Sequence, residues 1–237
     1  MNVIVTGASR GIGYQIVRSM AEIPDMRILA IARSIKDLQK LKLSCSTLPS
    51  GSDLDIMSAD LSQYEKLKND IIPAIRNKFD KLDILINNAG YLVNKTFDQT
   101  DTDELEMTFR VNFMVPWQLI QSLLGLLAKS GKSHVVNISS IGGIQGSTKF
   151  PGLSAYSSAK GALGILTECL AAELSDKGIS FNCLALGSVK TEMFSKAFPE
   201  YTAQLKPEEI ASFITDFAVN GNKYFNGKIL PVSVSIP

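Results

Sequence analysis

Seven short apolar runs, each continuous rather than alternating, constrain this 237-residue chain more than any other feature. They are VIVT (3–6), RILAIA (27–32), LDIMSA (54–59), LDILIN (82–87), HVVNIS (134–139), SFNCLAL (180–186) and KILPVSV (228–234). A strand that is apolar at every position has no face to offer water, so it belongs inside a sheet covered on both sides. Between the runs the apolar period lengthens. Ile12, Ile16, Val17 and Met20 share one side of a helix, and further helices are predicted over 34–43, 62–79, 102–128, 156–175 and 207–220. Strands that alternate with helices need crossovers, and crossovers make a parallel sheet. The expectation is an α/β fold over residues 1–237, a single domain with a doubly wound seven-stranded parallel sheet and helices on both faces. Ligands of such sheets bind beyond the carboxyl ends of the strands, so functional residues should follow runs one to six.

Charge and composition exclude several functions. Lys and Arg number 24 against 23 Asp and Glu, and they are scattered, which argues against a nucleic-acid surface or a basic membrane patch. Cys45, Cys169 and Cys183 are far apart and in no metal-ligand spacing, so buried, inert thiols in a reducing, cytoplasmic setting are expected. The single histidine, His134, reads as a strand-edge residue, and no metal site is expected. The chain opens directly on a strand, with no leader expected. Val111 to Ala128 is the most membrane-like segment, but Asn112, Pro116, Gln118 and Gln121 interrupt it. It reads as a helix buried between the sheet and a partner subunit.

The first run ends in TGASRGIG, with Gly7, Gly11 and Gly13 between strand and helix. Glycines there permit a tight turn, a close backbone approach to a pyrophosphate, and close helix–strand packing. The free N–H groups and positive dipole end of the helix then face the phosphates. NAD sites usually place an acid at the end of the second strand, on the ribose 2′-hydroxyl. Here that strand ends in Ala32 and Arg33, and Arg10 lies within the glycine turn. Two guanidinium groups can clamp a 2′-phosphate, which favours NADP(H). Asp60, after the third run, either hydrogen-bonds an adenine amino group or caps the next helix, with Ser62 competing for that cap.

Four further features fall into register with the glycine turn: NNAG (87–90), Val111–Asn112, NISS (137–140) and YSSAK (156–160). In that order and separation the chain resembles the short-chain dehydrogenase/reductase family, of the single-domain Rossmann type, from Val3 to about Val234. The resemblance implies roles. Tyr156 would be the acid/base, and Lys160 would bind the nicotinamide ribose and hold Tyr156 toward its ionised form. Ser140 would hydrogen-bond the substrate oxygen; strand alternation lets only one of Ser139 and Ser140 face it. Asn112 would position a water linking Lys160 to solvent. Cofactor contacts would come from Gly7, Ser9, Arg10, Gly11, Ile12, Gly13, Arg33, Asp60, Leu61, Asn88, Ala89, Gly90, Tyr156, Lys160, Gly187, Val189 and Thr191. A free tyrosine has a pKa of about 10, and lowering it by about three units needs about 4 kcal/mol of phenolate stabilisation, within reach of a nearby ammonium.

Three departures from the family pattern bear on the substrate. The segment 141–155 is longer than usual and rich in glycine, so a mobile loop is expected. Leu186 stands where a proline would precede Gly187, which suggests a less rigid turn. A short stretch after Thr191 predicts an abbreviated lid over about 191–207 and a pocket tolerant of bulky carbonyls. The closing PVSVSIP lacks the family's glycine pair, which would alter subunit contacts. The implied activity is NADPH-dependent reduction of a small-molecule carbonyl, a ketone or 3-oxoacyl thioester, by a homodimer or homotetramer. An alcohol dehydrogenase working oxidatively, or a non-catalytic NADP-binding protein, are the alternatives.

Overall fold

The seven runs assemble into one all-parallel sheet in the order β3-β2-β1-β4-β5-β6-β7. The strands are β1 (Asn2–Thr6), β2 (Arg27–Ala32), β3 (Asp53–Ser58), β4 (Ile84–Asn87), β5 (Ser133–Ser140), β6 (Ile179–Leu186) and β7 (Lys228–Val232). This computed structural model describes residues 1–48, 50 and 52–234. Most strand bounds lie within a residue or two of the expected ones. β4 starts at Ile84, two residues late, although the Asp83 backbone still bonds Asn2 and His134 at 3.0 and 2.8 Å; its carboxylate accepts from the Asn2 N–H at 2.7 Å and the Ser130 hydroxyl at 2.5 Å. β7 stops at Val232, two residues early, and the last three residues of PVSVSIP, with the subunit contacts expected of them, lie outside the described residues.

Alternation along each strand separates two apolar layers. Val3, Val5, Ile28, Ala30, Ile84 and Ile86 pack against helices α1 (Gly11–Ala21), α2 (Ile35–Cys45) and α7 (Pro207–Asn220). Ile4, Leu29, Leu85, Val135 and Phe181 face the opposite way, onto α3 (64–78) and α4 (Thr102–Ser130). Both faces of the sheet are therefore covered, as continuous apolar strands require. The strand order reverses between β2-β1 and β4-β5, which leaves a crevice at the carboxyl ends of β1 and β4.

Helix α4 begins at an Asp101–Glu104 capping box and ends at Gly131, whose φ of 77° is left-handed. By length and composition it could cross a membrane. One face of it, with Val115, Leu119, Ile120, Leu123 and Leu127, is buried on the sheet, while Leu105, Met114 and Trp117 are exposed. A π turn at Arg110–Met114 interrupts it and puts Asn112 wholly inside the protein.

Two expectations about single residues are corrected here. His134 is not at a strand edge. It lies within β5, 1% exposed, with Nδ1 3.0 Å from the Ala218 carbonyl oxygen and Nε2 2.9 Å from the Asn182 amide. Burial pulls its pKa down to about 4, so the ring is neutral. Cys45 and Cys183 are buried as expected, but Cys169 is exposed. It sits on α5 (Ser154–Glu173), which buries Ala159, Lys160, Leu163, Thr167 and Ala171, and Cys169 falls on the other side, four residues from exposed Ile165.

A buried polar chain ties α5 to the sheet. Asn87 Nδ2 donates to Asn137 Oδ1 at 2.8 Å, Asn137 Nδ2 donates to the Thr167 hydroxyl at 3.0 Å, and that hydroxyl donates to the Leu163 carbonyl at 2.8 Å. The chain fixes the helix bearing Tyr156 and Lys160 relative to β4 and β5. Thr167→Val keeps the side-chain shape but strands the Asn137 amide. It should cost about 1–3 kcal/mol of stability in urea denaturation, and an unchanged midpoint would show that the chain holds nothing.

Candidate active site

A cavity of about 1010 Å³ opens where the sequence places it, beyond the carboxyl ends of β1 to β6. That volume is at the upper end for ligand sites and suits a dinucleotide with a substrate. Gly7, Ser9, Arg10, Gly11, Ile12 and Gly13 line it after β1; Arg33 after β2; Asp60 and Leu61 after β3; and Asn88, Ala89 and Gly90 after β4. Ser140 closes β5, Gly187, Val189 and Thr191 follow β6, and Tyr156 and Lys160 reach in from α5. Of the expected site residues only Asn112 does not border the cavity.

The glycine turn is shaped by contact with the loop after β4. Gly7 has a φ of 69°, and a Cβ there would lie 2.8 Å from the Ala89 Cα. A Cβ on Gly13 would run into the Gly7 carbonyl oxygen and the Asn88 amide. Thr6 Oγ1 accepts from the backbone N–H groups of Asn88 and Ala89 at 3.1 and 3.0 Å, and Asn88 Nδ2 donates to the Thr6 carbonyl at 2.9 Å. The N-terminus of α1 then faces the cavity with no side-chain cap and no acid in its first turn. Uncapped N–H groups beside glycine backbone are the donor set that a pyrophosphate needs, so the residues present fit a dinucleotide.

Three cofactor-side details bear on the expectations. Arg10 does not stand free: its Nη1 pairs with Glu192 Oε2 at 2.7 Å. Arg33 is exposed, with no acid in ion-pair range among the described residues. Asp60 caps no helix, and neither does Ser62. Gln63 holds the N-cap of α3, and Asp60 Oδ1 accepts from the Ser62 N–H at 3.0 Å and hydroxyl at 2.7 Å.

On the catalytic side, alternation separates the two serines. The Ser139 hydroxyl is committed to the Lys160 carbonyl at 2.8 Å, whereas half-buried Ser140 accepts only a 3.3 Å bond from the Gly142 N–H. Lys160 is 3% exposed; its Nζ donates to the Ile138 carbonyl at 2.8 Å and lies 5.7 Å from the centre of the Tyr156 ring. Burial pulls Lys160 down to about 8, opposed by the neighbouring Cys183 thiol. Burial pushes Tyr156 up to about 12, although the ring keeps part of its surface on the cavity. The expectation that Lys160 draws Tyr156 toward its ionised form finds no support in the chain alone, where burial raises the Tyr156 hydroxyl.

Asn112 lies behind the cavity wall. Its Nδ2 donates to the carbonyls of Tyr91 and Thr108 at 2.7 and 2.8 Å, and its Oδ1 accepts from the Tyr91 N–H at 3.2 Å. Both amide hydrogens are used, so its side chain acts on the site by fixing the backbone at Tyr91 rather than by lining the cavity.

The substrate side of the cavity is built by 141–155 and by the segment after Thr191. The first half of the 141–155 loop, expected to be mobile, is tied down: Ile141–Gly143 forms a 3-10 turn, and the Ser147 hydroxyl donates to the Ile141 carbonyl at 2.6 Å. The turn at Leu186 is anchored by a Gly187 N–H to Val232 carbonyl bond at 2.9 Å. After Thr191 comes a short helix, α6 (Glu192–Ala197), whose far end accepts from Asn94 Nδ2 at 2.6 Å through the Ala197 carbonyl. The rings of Phe194 and Phe198 lie 5.2 Å apart and those of Phe198 and Tyr201 6.2 Å apart, all lining the cavity with Phe150. The density of aromatics in EMFSKAFPEY was the available signal for this wall. Apart from Lys160, the charged lining residues are Arg10, Arg33, Asp60 and Glu192, all from the glycine turn, the ends of β2 and β3, or the start of α6.

A model described as short chain dehydrogenase matches residues 1–202, and the chain belongs to that family of oxidoreductases, which act on small molecules with nicotinamide cofactors. Among its relatives, the Acinetobacter baylyi "Fatty acyl-CoA reductase" is 31% identical over 89% of this chain and 70% of its own length. The Chlamydia trachomatis "3-oxoacyl-[acyl-carrier-protein] reductase FabG" is 28% identical over 97% of this chain and 94% of its own. Of solved structures, the "Pseudomonas aeruginosa RhlG/NADP active-site complex" superposes with a TM-score of 0.86 at 26% identity, covering 98% of this chain and 94% of that one.

The Lys160 shift has a measurable consequence. The unfolded chain keeps this proton up to the ordinary value of 10.5, the folded chain only up to about 8. Between those values unfolding takes up a proton, so stability rises with pH. Wild type should therefore gain stability relative to Lys160→Met as pH climbs from about 8 toward 10.5 in denaturant titrations. A difference that stays flat across that window would show that Lys160 is not buried as a cation.

Proposed function

We propose that this chain is an NADPH-dependent reductase of uncharged, apolar carbonyl compounds. The observation that carries this is geometric: Tyr156 and Ser140 border one cavity beside a buried Lys160, and the glycine turn and Arg33 line its other end. Reduction of a ketone needs a proton donor at the developing alkoxide, whereas oxidation of an alcohol needs a base.

The glycine turn and the N-terminus of α1 would hold the pyrophosphate, and Arg33 with Arg10 the 2′-phosphate. Asp60 and Leu61 would border the adenine, and Gly187, Val189 and Thr191 the nicotinamide end. When bound, the nicotinamide supplies the hydride. Ser140 donates a hydrogen bond to the carbonyl oxygen and polarises it. Tyr156 gives its proton to that oxygen as negative charge gathers there. The Lys160 ammonium would hold the ribose hydroxyls and would offset the charge left on the Tyr156 oxygen. Asn112, through the backbone at Tyr91, keeps Gly90 and its neighbours in place along the cofactor.

The substrate class follows from the walls. Phe150, Phe194, Phe198 and Tyr201 offer ring faces, and among the described residues that line this end of the cavity there is no Lys or Arg to pair with a carboxylate or phosphate on the substrate. The names of the relatives, a fatty acyl-CoA reductase and a 3-oxoacyl reductase, support a carbonyl on an apolar acyl chain, though their thioester carriers are charged, and the NADP in the RhlG complex supports a phosphorylated cofactor. Residues 1–237 would form one domain with 191–207 as its lid. Exposed Leu105, Met114 and Trp117 on α4 and Ile165 on α5 favour a homodimer or homotetramer, and the three free thiols a cytoplasmic setting.

The test is turnover with NADPH on neutral aryl and alkyl ketones beside keto acids of equal size. Tyr156→Phe should lower kcat by about 10²–10⁴ with NADPH binding retained. Undiminished turnover would remove Tyr156 from its role, and keto acids reduced as fast as neutral ketones would overturn the substrate class. Arg33→Ala should weaken NADPH by about tenfold or more in equilibrium titrations while leaving NADH nearly unchanged; equal losses would remove Arg33 from the 2′-phosphate.

A further inference from the structure

The Arg10–Glu192 pair joins two parts of the cavity that do different work. Arg10 belongs to the glycine turn, on the cofactor side. Glu192 is the first residue of α6, the helix that also carries Met193 and Phe194 into the cavity. The other end of α6 is held by Asn94 through the Ala197 carbonyl. The Glu192 carboxylate divides its oxygens: Oε2 meets Arg10 Nη1 at 2.7 Å and Oε1 meets Lys196 Nζ at 2.7 Å. Lys196, and then Arg10, hold this carboxyl below its usual range.

We infer that Glu192 is a cofactor-selectivity residue: it occupies Arg10 in the free protein, and a 2′-phosphate arriving at Arg10 displaces it and releases the tie between the glycine turn and α6, whose first turn keeps its Thr191 cap at 3.2 Å. This rests on the assignment of Arg10 to the 2′-phosphate. Three observations support it. The Arg10 and Glu192 side chains are 55% and 49% exposed, so their pair is a surface one and weak. A phosphate offers a larger charge and more acceptor oxygens than a carboxylate, so it outcompetes Glu192 for the same guanidinium. The displaced carboxylate keeps Lys196 and is not left without a partner. The cost of displacement is thus small and falls only on ligands that carry the phosphate. Because Met193 and Phe194 follow directly, phosphate recognition at one end of the cavity is coupled to the position of the substrate wall at the other.

The experiment compares 2′-phospho-ADP-ribose with ADP-ribose on wild type and Glu192→Gln, by isothermal titration and by amide hydrogen exchange over 191–198. Glu192→Gln keeps the size of the side chain and removes its charge. It should tighten 2′-phospho-ADP-ribose about two- to fivefold and leave ADP-ribose unchanged. In wild type the phosphorylated ligand alone should speed exchange over 191–198, and Glu192→Gln should exchange faster there before any ligand is added. Equal effects on both ligands, or none, would overturn the role of Glu192 while preference of wild type for the phosphorylated ligand left the cofactor reading intact. A wild type that binds both ligands equally would bring down the cofactor reading and this inference together.

Discussion

Gly7 and Gly13 meet Asn88 and Ala89 at separations that leave no room for a Cβ on either glycine. Thr6 locks that approach by accepting two backbone N–H bonds from the facing loop, and Asn88 returns one to the Thr6 carbonyl. The strand order reverses at this point, so this contact sets the floor of the crevice. The direction of α1, the reach of its free N–H groups and the placement of Gly90 all depend on it. Asn112 secures the next residue, Tyr91, from behind. A phosphate site and a catalytic wall are thereby built on one rigid join rather than on two independent loops.

The proton chemistry sits on a less comfortable arrangement. Burial drives Tyr156 and Lys160 in opposite directions on the pKa scale but toward the same end, the neutral form of each. At neutral pH Lys160 still carries its charge, almost fully enclosed, with the Ile138 carbonyl as its hydrogen-bond acceptor. A buried cation met by one carbonyl destabilises a fold. The Asn87–Asn137–Thr167 chain and the apolar layers of the sheet supply the stability that lets the site keep it. Local cost at a site, offset elsewhere in the structure, is the usual relation between function and stability.

Much of this was legible in the sequence, for identifiable reasons. Continuous apolar runs have few ways to avoid water, so the sheet and both helix layers followed from them. The glycine turn was legible because no other residue type satisfies its packing, and YSSAK because a helix turn brings residues 156 and 160 together. What escaped depended on contacts between distant segments. Arg10 and Glu192 are 182 residues apart, and nothing near either announces the other. Cys169 reads as a core residue until the buried stripe of α5 is known, and His134 as an edge residue until Ala218 and Asn182 are seen around it. The aromatic wall was visible as composition but not as a wall, because its placement depends on how the segment after Thr191 folds back to pair at Val189 and Leu205.

The π turn in α4 gives one more consequence. A helix advances about 100° per residue, so a single added or lost residue rotates everything beyond it by more than a quarter turn. The wide turn at Arg110–Met114 absorbs such an offset. Upstream of it Met107, and within it Val111, face the cavity, and downstream Leu119, Leu123 and Leu127 face the sheet. The two halves of one continuous rod are thus phased independently, one to a ligand and one to the core. A one-residue deletion inside the wide turn can be taken up by closing it to a plain α-turn, whereas the same deletion elsewhere in the rod would rotate one half away from what it faces.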